Sequence, residues 1–261
     1  MSFGATKLLS ASGGKAYEID QSLMFNSADT AVLTRTPSSA GNQKTWTWSS
    51  WVKRTSLGSS NAIFSAHDPT FGSTSNRLIT LLSFYTDNTL YFFTRYYPQG
   101  GSVYDTGFLT NAVFRDVGAW YHIVLSFDTT QATESNRWKL YVNGSQITSF
   151  SAATYPQQNI DYAINCDQKH EIGRYTYGNN YPYDGYMAEV NFIDGTALTP
   201  SSFGETDSVT GQWIPKKYGG AYGTQGFYLK FVSGALGTDS SGQGNNWTAN
   251  NLADSDVLLR S

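Results

Sequence analysis

The apolar residues of this chain alternate and nowhere hold helical spacing, and that period of two restricts the fold more than any other feature. Residues 45–53 (TWTWSSWVK) set Trp46, Trp48, Ser50 and Val52 against Thr45, Thr47, Ser49 and Trp51. Successive side chains of a strand point to opposite faces, so such a run offers one face to a core. Residues 120–127 (WYHIVLSF) place Tyr121, Ile123, Leu125 and Phe127 together, with His122 opposite. Residues 138–142 (WKLYV) end at Asn143-Gly144, a pair that tolerates the positive φ of a two-residue hairpin turn. The runs 78–84 and 90–94 flank YTDNT, which reads as a hairpin loop. Within DGYMAEVNFIDG (184–195), Tyr186, Ala188, Val190 and Phe192 share one face, and Met187, Glu189, Asn191 and Ile193 the other. The nearest approach to a helix is 199–205, where Pro200 can open a single turn. Many short alternating runs separated by Gly, Asn, Ser and Thr predict an all-β fold, a two-sheet antiparallel jelly-roll sandwich.

Length and composition agree with one such domain. The chain has 261 residues, 14% charged and 15% aromatic. Charge is low against the roughly 25% of soluble domains, and aromatics are many, the reverse of a disordered chain. The formal charge is −3 with no basic cluster, so no nucleic-acid partner is expected. No run approaches the roughly 20 apolar residues of a membrane span, so no membrane insertion is expected. The opening MSFGATKLLSASGGK lacks the apolar core of a secretory signal. Cys166 is the single cysteine, so no intrachain disulfide forms.

Three regions are predicted. Residues 1–16 are small and polar and read as an extended arm. Residues 17–232 carry the sandwich. Residues 233–261 are rich in Ser, Gly and Asn and read as a C-terminal tail.

Chemistry-bearing residues are sparse. The glutamates are Glu18, Glu134, Glu171, Glu189 and Glu205, and the histidines His67, His122 and His170. No Ser or Cys motif accompanies a histidine, and no His or Cys pair has zinc spacing. Catalytic residues and a resident cofactor are therefore not expected. Two loops concentrate aromatics instead. TRYYPQGGSVYDTG (94–107) carries Tyr96, Tyr97 and Tyr104. RYTYGNNYPYDGY (174–186) carries Arg174, Tyr175, Tyr177, Asn179, Asn180, Tyr181 and Tyr183. Flat rings beside amides suit sugar C–H faces and hydroxyls, and Tyr and Arg equally serve protein interfaces.

Four stretches in order, TWTWSSWVKR (45–54), WYHIVLSFD (120–128), RWKLYVNG (137–144) and DGYMAEVNFIDGTALTPSSFGE (184–205), resemble the laminin-G / concanavalin-A-like jelly roll. Glucanases of that superfamily carry E-x-D-x-E on one strand. Here Glu18-Ile19-Asp20 is followed by Gln21 and Ser22, so a carboxylate is missing. Related domains also carry Asp-Glu-Val where this chain has Ala188-Glu189-Val190, and that Asp can ligate calcium. Asn26, Asp29, Asp184 and Asp194 remain as candidate oxygen ligands for a cation that takes roughly six to eight.

The opening MSFGATKLLSASGGKAYEIDQSLMFN, with RTPSSAG (35–41), FIDGTALTPSSFGETDS (192–208) and DSSGQGNNWT (239–248), is similar to phage virion proteins of tail-fibre type. That resemblance implies a non-enzymatic structural protein made in the host cytoplasm and located in the virion. It would bind host-surface polysaccharide, other virion proteins and copies of itself. Capsid decoration, as a head-fibre protein, and a carbohydrate-active enzyme of the same fold are the alternatives.

Overall fold

The computed structural model describes residues 17–68, 78–97 and 102–259. The arm expected over residues 1–16 and positions 98–101 of the first aromatic loop lie outside the described residues. Two eight-stranded sheets face each other, and their strand pairs are antiparallel.

The first sheet runs Ser145–Ile147, Trp138–Val142, Tyr121–Asp128, Thr45–Arg54, Gly185–Asp194, Gln21–Phe25, Val257–Leu259. Phe227–Leu229 also pairs with Gly185–Asp194. The second runs Phe150–Thr154, Tyr104–Val113, Thr89–Tyr96, Leu78–Phe84, Asn61–Asp68, His170–Ile172, Val32–Arg35, Thr248–Asn250. The Asn143-Gly144 turn has φ of 47° and 79°, as its hairpin requires. Pro200 opens a single 3-10 turn, Pro200–Ser202.

The core is aromatic. Trp48 of the first sheet stacks on Phe64 of the second at 4.2 Å and 13°, and Trp46 stacks on Phe127 at 4.8 Å. The alternation of residues 45–53 is present in the structure: Trp46, Trp48 and Val52 enter this core, while Trp51 lies outside it, stacked on His122. A smaller cluster covers the outer face of the first sheet, where Phe203 and Tyr222 pack on Val124, Ile193 and Tyr228.

Residues 184–195 depart from strict alternation. Ala188 pairs with Trp51 but Asn191 with Ser49, so one extra residue sits between them as a β-bulge. Glu189 occupies it at φ 51°, a left-handed conformation costly for a side chain with a Cβ. The bulge reverses the phase: Met187, Val190 and Phe192 face the main core, and Ile193 joins the outer cluster.

Residues 233–259, expected to begin a C-terminal tail, are part of the sandwich. Thr248–Asn250 pairs with Val32–Arg35, and Val257–Leu259 with Gln21–Phe25. Leu236 and Trp247 enter the main core, with Trp247 against Phe227 at 4.9 Å. Gly237 permits this path, because a Cβ there would lie 1.9 Å from the Trp247 carbonyl oxygen. The polar residues that suggest a linker order the chain instead. Asp239 accepts from the backbone N–H groups of Tyr228, Ser241 and Asn245, and Asn246 accepts from Asp239 N–H. Short polar side chains that bond nearby backbone stabilise irregular structure.

Candidate functional site

Cross-strand register builds an aromatic face on the outer side of the second sheet. Along Thr89–Tyr96, Leu90 and Phe92 enter the core, which leaves Tyr91, Phe93 and Arg95 on the other side. Residues directly opposite on paired strands share a face. Asp105, Arg95, Ile79 and His67 therefore form one row, and Phe93, Leu81, Ser65 and Glu171 the next. Tyr85 approaches Tyr91 at 5.4 Å, and Tyr91 stacks on Phe93 at 6.2 Å.

The second aromatic loop lies over this face. Ser65 Oγ donates to the Arg174 carbonyl at 2.8 Å and accepts from Thr176 N–H at 3.0 Å. Ala62 N–H donates to the Tyr181 carbonyl at 2.8 Å. Tyr175 pairs with Asn180, closing a tight turn through Gly178 and Asn179, both at positive φ. Tyr175 and Tyr181 then stack at 5.7 Å with their rings 5° from parallel. Tyr177 meets His67 edge-on at 5.3 Å. Burial, then the neighbouring Tyr91 hydroxyl, raises the Tyr175 phenol. Burial and the Tyr85 hydroxyl push Tyr91 up to about 12. Tyr91 and Tyr175 therefore stay neutral at ordinary pH.

The predicted residues divide. Tyr177 and Tyr181 are 41% and 45% exposed, and Asn179 and Asn180 are exposed beside them. Arg174 and Tyr175 are half-buried in the same loop. Tyr183 does not belong: it is fully buried, edge-on to Phe25 at 6.1 Å, and its hydroxyl donates to the Lys53 carbonyl. Tyr96 and Tyr104 stack at 6.5 Å, with Tyr96 also packed against core Tyr162. Tyr97 follows Arg95 on the alternation and influences it electrostatically. Tyr85, Tyr91, Phe93, Arg95, Asp105 and Glu171 were missed. The period of two at 90–96 was the signal for Tyr91, Phe93 and Arg95.

The four candidate cation ligands do not form one set: Asn26, Asp29 and Asp184 lie at one end of a strand and Asp194 at the other. Asp184 immediately precedes the ten-residue Gly185–Asp194 strand and Asp194 ends it, a separation of about 30 Å at ~3.3 Å per residue. Asp184 Oδ1 accepts from Ser27 N–H, while Asn26 caps the turn that holds Asp29. Asp194 Oδ1 accepts from Asn42 N–H and the Asn165 amide, and its Oδ2 from Gln225 N–H. Among the described residues no group of three His, Cys, Asp or Glu side chains gathers to hold a metal.

Ser49 and His122 resemble half of a hydrolase site, at 2.9 Å. The proton directions oppose it. Trp213 Nε1–H can only donate, and it donates to His122 Nδ1 at 2.9 Å. Neutral His122 therefore carries its proton on Nε2 and donates to Ser49 Oγ, so it has no lone pair left to activate the hydroxyl. Burial pushes His122 down to about 3, which keeps it neutral. The glutamates are dispersed as well. Glu189 stands on the first sheet and buried Glu171 on the second, paired with Arg174 and Lys169. A glycosidase needs two carboxyl groups roughly 5–9.5 Å apart across one bond.

Among the described residues no helix is long and apolar enough to cross a membrane. No curated protein matches the sequence. Among solved structures, the chain is similar to a heptameric SAP-like pentraxin from Limulus polyphemus, at TM-score 0.53 and 18% identity, covering 94% of this chain and 96% of that one. It is also similar to a protein described as carbohydrate-binding from Bacteroides ovatus ATCC 8483, at TM-score 0.53 and 17% identity, covering 94% of this chain and 61% of that one. These likenesses show the fold. A laminin-G-type family model matches residues 26–202, more than half of the chain, and the protein belongs to the concanavalin A-like lectin/glucanases superfamily.

Proposed function

We propose that this domain is a non-enzymatic glycan-binding module, and that its aromatic face is where the saccharide docks. The observation that carries the reading is the row of rings: Tyr91 and Phe93 on a rigid sheet, with Tyr85 just past the end of the Leu78–Phe84 strand, beside the stacked Tyr175 and Tyr181 of an anchored loop. Rings fixed by sheet register cost little ordering entropy on binding, and flat exposed phenols with nearby amides suit the C–H faces and hydroxyls of sugars. The sugar-binding description of the Bacteroides ovatus protein is compatible with this use of the fold.

The finer reading places the module on a phage virion as a tail-fibre or adhesin-like protein that meets host-surface polysaccharide. It rests on the sequence resemblance of the opening stretch, 192–208 and 239–248. Copies of the chain and other virion proteins would be its assembly partners. A second reading, capsid decoration, uses the same rings for protein docking, since exposed Tyr and Arg favour both.

A glycan array probed with the full chain and with Tyr181→Ala tests the proposal. The expected result is binding to at least one saccharide class, weakened roughly tenfold or more in the variant, the scale of one stacked ring. Binding that is identical in the two proteins would remove the aromatic face from the account.

A further inference from the structure

We infer that this face selects uncharged saccharide chains and discriminates against acidic ones, because the guanidiniums that border it are already held by carboxylates. The inference rests on the glycan reading above and narrows its ligand class. Arg95 lies over the Phe93 ring, 5.3 Å from its centroid. Its Nε donates to Asp105 Oδ1 and its Nη2 to Asp105 Oδ2, each at 2.7 Å. Arg174, in the aromatic loop, does the same to Glu171, Nε to Oε2 at 3.1 Å and Nη2 to Oε1 at 2.7 Å. Lys169 Nζ closes on the same Glu171 Oε1 at 2.5 Å.

A guanidinium recognises a carboxylate or sulfate through its planar fork of two parallel N–H groups. Both forks at this face are occupied from within the chain. The ion pairs come from register: Asp105 is Arg95's direct cross-strand partner, and Glu171 lies only three residues before Arg174. An incoming anion would have to displace a tethered competitor and then sit beside the displaced carboxylate. A neutral sugar meets no such repulsion. The phenol hydroxyls and the Asn179 and Asn180 amides offer it uncharged hydrogen bonds. A succession of rings, rather than one, favours a chain over a single monosaccharide.

The test is isothermal titration of the full chain with cellohexaose, laminarihexaose and mannohexaose as neutral probes, and hexagalacturonate and oligosialic acid as acidic ones. Wild type is expected to bind a neutral probe at least roughly tenfold tighter than either acidic probe. Asp105→Asn releases the Arg95 fork and is expected to strengthen acidic binding by roughly tenfold, the scale of one charge-assisted hydrogen bond. Asp105→Asn combined with Arg95→Gln should lose that gain, which separates a freed cation from a general loosening of the surface. Wild-type preference for an acidic probe would overturn the inference and leave the glycan reading standing, as would an Asp105→Asn protein that gains nothing. Absence of binding to every probe by protein folded by circular dichroism would count against the glycan reading itself and take the inference with it.

Discussion

Glu189 accepts a hydrogen bond from Tyr228 at 2.5 Å, and the pair joins the bulge of one strand to its short neighbour. Tyr17 donates to the same Oε2 at 2.6 Å. The far edge of the Gly185–Asp194 strand is shared: Gln21–Phe25 covers residues 185–187, and Phe227–Leu229 covers 190–192. Glu189 sits at the gap and ties both partners down, Tyr17 leading into the first and Tyr228 belonging to the second. Burial raises its carboxyl above the ordinary range despite the two phenol hydrogen bonds. The carboxylate in the middle of this apolar run is a clamp.

Removing a donor should be costly. Tyr228→Phe is expected to lower stability by about 1–3 kcal/mol, the range for a buried polar group that loses its hydrogen-bond partner. The left-handed backbone at Glu189 can be measured separately. Glu189→Ala keeps the strain and Glu189→Gly relieves it, so the glycine protein should be the more stable by about 1 kcal/mol. Urea unfolding of the three variants checks both; an alanine protein at least as stable as the glycine one would contradict the strain.

Two buried histidines set an acid limit. Burial holds His122 down to about 3 and His170 to about 4, against an ordinary 6.5. The unfolded chain therefore takes up protons first as pH falls. Their stabilisation is complete above 6.5, declines by about 1.4 kcal/mol per pH unit for each group, and is lost once pH passes below the folded values. Glu189 has the opposite sign: its raised carboxyl contributes stability at low pH that is lost as pH rises through its folded value. Melting temperatures between pH 7 and 4 should fall, and His122→Asn should flatten the slope. An unchanged slope would exclude His122 as its source.

The C-terminal segment should be indispensable. Trp247→Ala removes a large core ring and is expected to cost about 3–5 kcal/mol. Deletion of residues 233–261 removes two strands, Leu236 and Trp247 together, and should prevent folding. Circular dichroism and soluble yield are the readouts; a cooperative melt from the truncated protein would return this segment to the status of a tail.

What the residues disclosed follows from how local the cause is. Trp46, Trp48 and Val52 were legible as core because an unbroken strand obeys a period of two. Glu189's neighbours were not, since one bulge reverses the phase and a carboxylate in a left-handed conformation leaves no local signature. Tyr181 and Tyr183 look equivalent two positions apart. Tyr181 turns at φ 56° before Pro182, so one ring faces solvent and the other enters the core. The order in 233–259 depends on Asp239 and Asn245 reaching distant backbone, which composition does not record. At the aromatic face the loop was legible from its tyrosines. The sheet beneath it required the register that pairs Arg95 with Asp105 and Phe93 with Leu81.

Amide chemical-shift mapping decides whether the aromatic face is the saccharide site. A neutral oligosaccharide found to bind on the array would be titrated into isotopically labelled protein. The shifts are expected to concentrate at Tyr85, Tyr91, Phe93 and 175–181, with saturation weakened roughly tenfold or more in Tyr181→Ala. Shifts confined instead to the polar cleft lined by Arg35, Lys169 and Asn245, with Tyr181→Ala binding as wild type does, would contradict that assignment.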